Sequence, residues 1–100
     1  MVEAKGEWVD IEWASLYGSN ETTNVLIRRS DITHVGRYIP TYTASYFVIG
    51  IRHGEAVTVA QMHDRQGIYD TESIREAIDG IRRSLIYELT YQDMKEKTHR

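Results

Sequence analysis

The chain has 100 residues, 41% hydrophobic and 27% charged, with a formal charge of −3 and no cysteine. That length makes one domain with one modest core. Disulfides and thiolate chemistry are excluded, a reducing cytoplasm is the expected setting, and the slightly acidic balance argues against non-specific DNA binding.

Residues 1–7 read as a frayed end, and MVEAKGEW lacks the apolar core of a secretion signal. Residues 8–16 alternate, with Val9, Ile11 and Trp13 on one face and Trp8, Asp10 and Glu12 on the other. That is a strand with one wet face. Gly, Ser and Asn make 17–23 a loop. Residues 24–29 form a second strand, Val25 and Ile27 opposed to Leu26, closing a first hairpin. A turn at Ser30-Asp31-Ile32 leads to a third strand over 33–39, with Val35 and Ile39 inward. Gly36 within it predicts a bulge or a close backbone approach. Pro40 ends it, because proline cannot donate to a ladder.

The centre of the sheet is expected at 46–60, YFVIGIRHGEAVTVA. Strands over 45–52 and 55–60 flank a turn. A two-residue turn would set Ile49 against Thr58. A three-residue loop, Arg52-His53-Gly54, sets Ile49 against Val57 and Phe47 against Val59. The second puts the apolar sets on one face, so it is preferred, with Gly54 in the left-handed conformation. Residues 61–70 are polar and show neither period, so they read as a loop.

A helix is predicted over 71–90. Ile74, Ala77, Ile78, Ile81, Leu85 and Leu89 fall on one stripe at spacings of three and four. Asp70 or Thr71 can cap it, and Ser73 with Glu76 fits a capping box. Asp79 can pair with Arg83, and Arg75 with Asp79. The tail 91–100 is charged and expected to fray. No apolar run reaches the roughly 20 residues of a spanning helix, so no membrane association is expected. The fold class is α+β: an antiparallel meander of about five strands with a C-terminal helix packed on it.

No residue pattern carries catalysis. No GxSxG frames a serine, no glycine-rich phosphate loop occurs, and the carboxylates are scattered. The four histidines share no helical i, i+4 pair. His53 and His63 read as polar loop residues, so no metal, cofactor or enzymatic activity is expected.

Two surfaces remain. Arg28, Arg29, Arg37 and Arg52 lie on or beside the strands, near Tyr38, Tyr42 and Tyr46 in sequence. Arginine and aromatics on a sheet face can grip single-stranded nucleic acid, which is the alternative function; the competing role is cross-strand pairing with Asp10, Glu12 and Glu55. The second surface is another helical stripe. Gly80, Ser84, Tyr87, Tyr91 and Met94 follow at three- and four-residue spacing, running from small to large. The small residues admit close approach and the tyrosines supply amphipathic anchors. The competing role is packing on the chain's own 61–70 loop or on Trp8. This stripe predicts a contact with a protein partner or a second copy of the chain.

The order Leu16-Tyr17-Gly18, Val25–Ser30, Ile32, Val35, Arg52-His53-Gly54-Glu55, Val57-Thr58-Val59 and Ser73 with Ile78 resembles the short FlbD-type flagellar proteins over residues 9–86. Loops at 17–24, 39–45 and 61–70 are longer here. The layout is also similar to a reduced pleckstrin-homology-like barrel, in which a C-terminal helix closes a curved sheet. Neither resemblance brings a catalytic residue. Both imply a binding or regulatory module, and a bacterial or phage origin is expected for the chain. The expected function is a small non-enzymatic interaction or regulatory accessory domain, forming a homodimer or binding another protein.

Overall fold

A computed structural model describes residues 1–14, 22–63 and 71–98, with side chains of the last helix described as far as Tyr91. The described elements are β1 (Val2–Lys5), β2 (Trp8–Ala14), β3 (Thr22–Arg28), a 3-10 turn (Arg29–Asp31), β4 (Ile32–Val35), β5 (Ile39–Pro40), β6 (Ala44–Ile51), β7 (Val57–Met62) and α1 (Thr71–Thr98). The class is α+β, with antiparallel sheets and one C-terminal helix packed on them.

The first sheet has the order β1-β2-β3. Residues 1–7 do not fray. Val2 pairs with Ile11 and Lys5 with Trp8 across a two-residue Gly6-Glu7 turn. Gly6 sits at φ 64°, a conformation that suits a residue without Cβ at the start of such a turn. The ladder extends one residue further, through the Glu12 amide donating to the Met1 carbonyl at 2.8 Å. The expected first hairpin forms as β2 and β3, with Val9 opposite Ile27 and Ile11 opposite Val25. Val9, Ile11 and Trp13 are buried, whereas Trp8 and Leu26 are exposed, as the alternation requires.

The second sheet is centred on β6. Strand β7 lies along one edge, and β4 and β5 share the other. The expected third strand is therefore two pieces. Between them the Gly36 amide donates to the Val48 carbonyl at 2.6 Å. A Cβ on Gly36 would lie 3.0 Å from that same oxygen, so the close approach expected there is present. The ladder also shifts register between Ile32 and His34.

The β6–β7 register is the one favoured by the apolar pattern: Phe47 opposite Val59 and Ile49 opposite Val57. Two details differ. Strand β7 runs from Val57 to Met62 rather than over 55–60, because β6 offers partners back to Ala44, which takes Met62. The left-handed residue of the turn is His53, at φ 59°, and not Gly54. A side chain in that region costs roughly 1–2 kcal/mol, partly offset by the greater freedom glycine has when unfolded. His53→Gly is therefore expected to raise stability by up to about 1 kcal/mol in urea denaturation; a clear loss would contradict this turn geometry.

Helix α1 spans both sheets, contacting β1, β6 and β7. Ile74, Ile78, Ile81 and Leu85 are buried, and Leu89 packs at the edge of the same cluster with Val9, Ile11, Phe47, Ile49 and Val59. Ala77 was expected on this stripe but is exposed. At about 100° per residue it lies about 70° from the stripe's midline, too far round to reach the sheet. Asp79 pairs with Arg83 at 3.3 Å, while Arg75 pairs with Glu72 at 3.2 Å rather than with Asp79. Ser73 stands inside the helix, so it is not the capping residue; Asp70 lies outside the described residues.

The helix does not stop at residue 90. It continues to Thr98, where fraying was expected. Gln, Met, Lys and Glu are good helix formers, and an element already nucleated propagates through them without an apolar stripe. Two further links hold the layers together. The Trp13 indole donates to the Ala60 carbonyl at 3.1 Å, joining the sheets. Arg82 Nε donates to the Gly36 carbonyl at 2.8 Å, fixing the helix to the gap between β4 and β5.

Candidate interaction surface

The fold separates the two predicted surfaces sharply. The Arg and Tyr residues expected on one sheet face are dispersed. Arg28 lies on the outer face of the first sheet, 5.2 Å from the centroid of the Trp8 ring. Lys5 stands in the same cross-strand row but is bound to Asp10 at 3.0 Å. Lys5 and Asn24 donate to the Asp10 carboxylate and hold it below the usual aspartate range. Asp10 is therefore committed to Lys5 and Asn24 rather than to an arginine. Arg29 donates to the Gly6 carbonyl. Arg37 is in the 36–38 link and Arg52 in the β6–β7 turn, both exposed. Tyr38 turns inward, its hydroxyl 3.5 Å from the buried Ser45 hydroxyl. Tyr46 alternates with the buried Ser45 and Phe47, so it projects from the opposite face of β6.

His63 also departs from its expected loop. It follows β7 directly, is buried, and lies between the Ser45 hydroxyl (Nε2, 2.9 Å) and the Tyr42 carbonyl (Nδ1, 3.1 Å). Its amide donates to the Thr43 carbonyl at 2.9 Å. A Ser–His contact invites a nucleophile reading. Ser45 is completely buried, so its hydroxyl is closed to solvent in this fold. The contact instead joins the 41–43 turn to the end of β7. His53 lies at the other end of the six-residue β7, about 20 Å away along the strand. Among the described residues, no three His, Asp or Glu side chains gather where a metal ion could sit.

The helical stripe stays together. Tyr87 and Tyr91 are 65% and 48% exposed. One turn apart, they stack with ring centroids 6.0 Å apart and planes 16° from parallel. Ser84 is exposed and Gly80 half-buried. Beside them runs a groove of about 460 Å3, lined by Val2, Gly80, Arg83, Ser84, Tyr87 and Glu88. Its far wall is Val2 of β1, so the groove is not readable from the helix stripe alone. The stripe does not pack on Trp8, whose ring lies with Arg28; residues 64–70 of the expected loop lie outside the described residues. The side chain of Met94 is likewise outside them.

A second cleft, of about 220 Å3, is lined by Arg29, Thr33, His34 and Leu89 among others. There His34 Nδ1 is 3.1 Å from the Thr33 hydroxyl, so its polar groups are largely engaged. No helix of the described residues is long and apolar enough to cross a membrane. No protein-family model, curated protein or solved structure matches the chain.

Proposed function

We propose that the chain is a small, non-enzymatic interaction or regulatory domain that binds a protein through the face Gly80, Ser84, Tyr87 and Tyr91 of α1. The observation that carries this reading is the stacked, solvent-open tyrosine pair beside the β1–α1 groove. Tyrosine combines a large apolar body with a hydroxyl, which is why it is enriched at the energetic centres of interfaces. Stacking one ring on the other fixes both, so less rotamer freedom is lost on binding. A non-enzymatic role is supported by the burial of Ser45, the described serine in contact with a histidine. The resemblance to FlbD-type and pleckstrin-homology-like modules points to the same class, and a cytoplasmic setting accords with a chain lacking cysteine.

The test is affinity capture from host extract with the wild type and a Tyr87→Glu, Tyr91→Glu variant. Both positions are exposed and helical, so circular dichroism should show an unchanged fold. The variant is expected to lose the proteins that the wild type retains. Identical retention by the two would remove the basis for this surface.

A further inference from the structure

We infer that the occupant of this face is a second copy of the same chain, docked helix to helix and antiparallel about a two-fold axis that crosses the open face at the height midway between positions 85 and 86. The inference rests on the interaction reading above and deepens it.

Gly80, Ser84, Tyr87 and Tyr91 are spaced four, three and four residues apart. That is the 3.5-residue seam of a helix pair, and it is distinct from the seam α1 uses on its own sheets. The seam is also self-complementary. Gly80 and Tyr91 are equidistant in sequence from the Leu85–Ile86 midpoint, and so are Ser84 and Tyr87. A two-fold axis there lays each tyrosine of one helix on a small residue of the other: Tyr91 over Gly80, Tyr87 over Ser84. At about 100° per residue, Ser84 and Tyr87 fall about 30° on either side of the seam's midline. Antiparallel pairing about a two-fold matches one side of the midline with the other, so the rotational phase agrees with the axial one. Such an isologous contact closes on itself as a dimer.

Gly80 supplies an independent argument. It is in the interior of a helix, where glycine costs about 1 kcal/mol relative to alanine. Its φ is not left-handed, and a Cβ there would meet nothing described within 4 Å beyond its chain neighbours and the backbone of its own helix. Close approach of another chain gives the missing Cβ a use. The area is adequate but small. Four tyrosines, half to two-thirds open, would cover on the order of 500 Å2 of their own surface and a similar area beneath them. The total of about 1,000 Å2 is where specific interfaces begin, so a dissociation constant in the micromolar range is expected.

Sedimentation equilibrium of the full chain, from micromolar to submillimolar concentration, tests this against the 11.6 kDa monomer. The wild type is expected to approach twice that mass. Gly80→Tyr fills the notch while improving helix propensity, and Tyr91→Ala removes the ring. Each is expected to weaken self-association by at least about tenfold while circular dichroism stays native. The exchanged pair Gly80→Tyr, Tyr91→Ala restores small against large and should recover most of the affinity. A wild type that remains monomeric overturns the pairing. So does a dimer that ignores both single changes, or a double variant no tighter than either single one. If the wild type is monomeric but the capture experiment still separates it from the Tyr87→Glu, Tyr91→Glu variant, the interaction reading stands and the occupant is a different protein.

Discussion

Replacing Phe47 with alanine is expected to remove about 3–5 kcal/mol of stability. Phe47 is completely buried in β6, the strand flanked on both edges, and belongs to the cluster that joins both sheets to α1. Its ring cannot be replaced by local collapse, because the backbone around it is held by ladders on either side. A domain of this size has about 5–15 kcal/mol in total, so the variant should be close to unfolding at moderate temperature. Urea denaturation reads the effect directly, as a fall in midpoint of more than about 1 M. A loss below 1 kcal/mol would mean that Phe47 does not stand at the centre of the core.

Ile78→Asp should be more damaging still. Ile78 is completely buried at the middle of the helix seam. A carboxylate there would be desolvated inside the apolar cluster, so the cost is several kcal/mol. The matched control is Ser84→Asp, six residues further along the same helix on its open face. That change should shift the monomer's stability by no more than about 0.5 kcal/mol. The contrast, measured by thermal unfolding, distinguishes a helix with one buried and one open stripe from a helix buried all round. Equal losses at the two positions would contradict the arrangement.

The features legible in the sequence were those that depend on periodicity over several residues. Alternation from Trp8 to Ala14 and from Thr22 to Arg28 identified the first hairpin and its buried face. The register of Phe47 with Val59 followed from requiring one apolar face, since a slip by one residue would reverse it. The helix seam followed in the same way. What escaped was short or was decided by tertiary contact. Strand β1 is four residues with two charges, too brief for its alternation to stand out, although the Gly6-Glu7 turn was a readable hairpin signal. Strand β5 exists only because β6 offers Ser45 and Tyr46 as partners. The last turns of α1 have helix propensity but no apolar period. His63 is polar in a polar stretch, and nothing in its neighbours' identities announces the buried Ser45 hydroxyl it meets.

The candidate surface divides along the same line. Helical spacing placed Gly80, Ser84, Tyr87 and Tyr91 together without knowledge of the fold. The groove beside them needed β1, and so was invisible. The Arg and Tyr residues were near one another in sequence, but proximity does not choose a face. Tyr38 and Tyr46 lie on opposite sides of the sheet, and Arg28 is on the other sheet altogether.

Nuclear Overhauser spectra of the methyl-labelled protein, recorded with a soluble paramagnetic agent, address the two-striped helix in one sample. Methyl groups of Ile78 and Leu85 should show cross-peaks to Phe47, Ile49 or Val59 and be shielded from the agent, while the Tyr87 and Tyr91 rings of the dilute protein are strongly relaxed by it. Relaxed Ile78 and Leu85 methyls without those cross-peaks, or shielded tyrosines at a concentration where the chain is monomeric, would contradict the account.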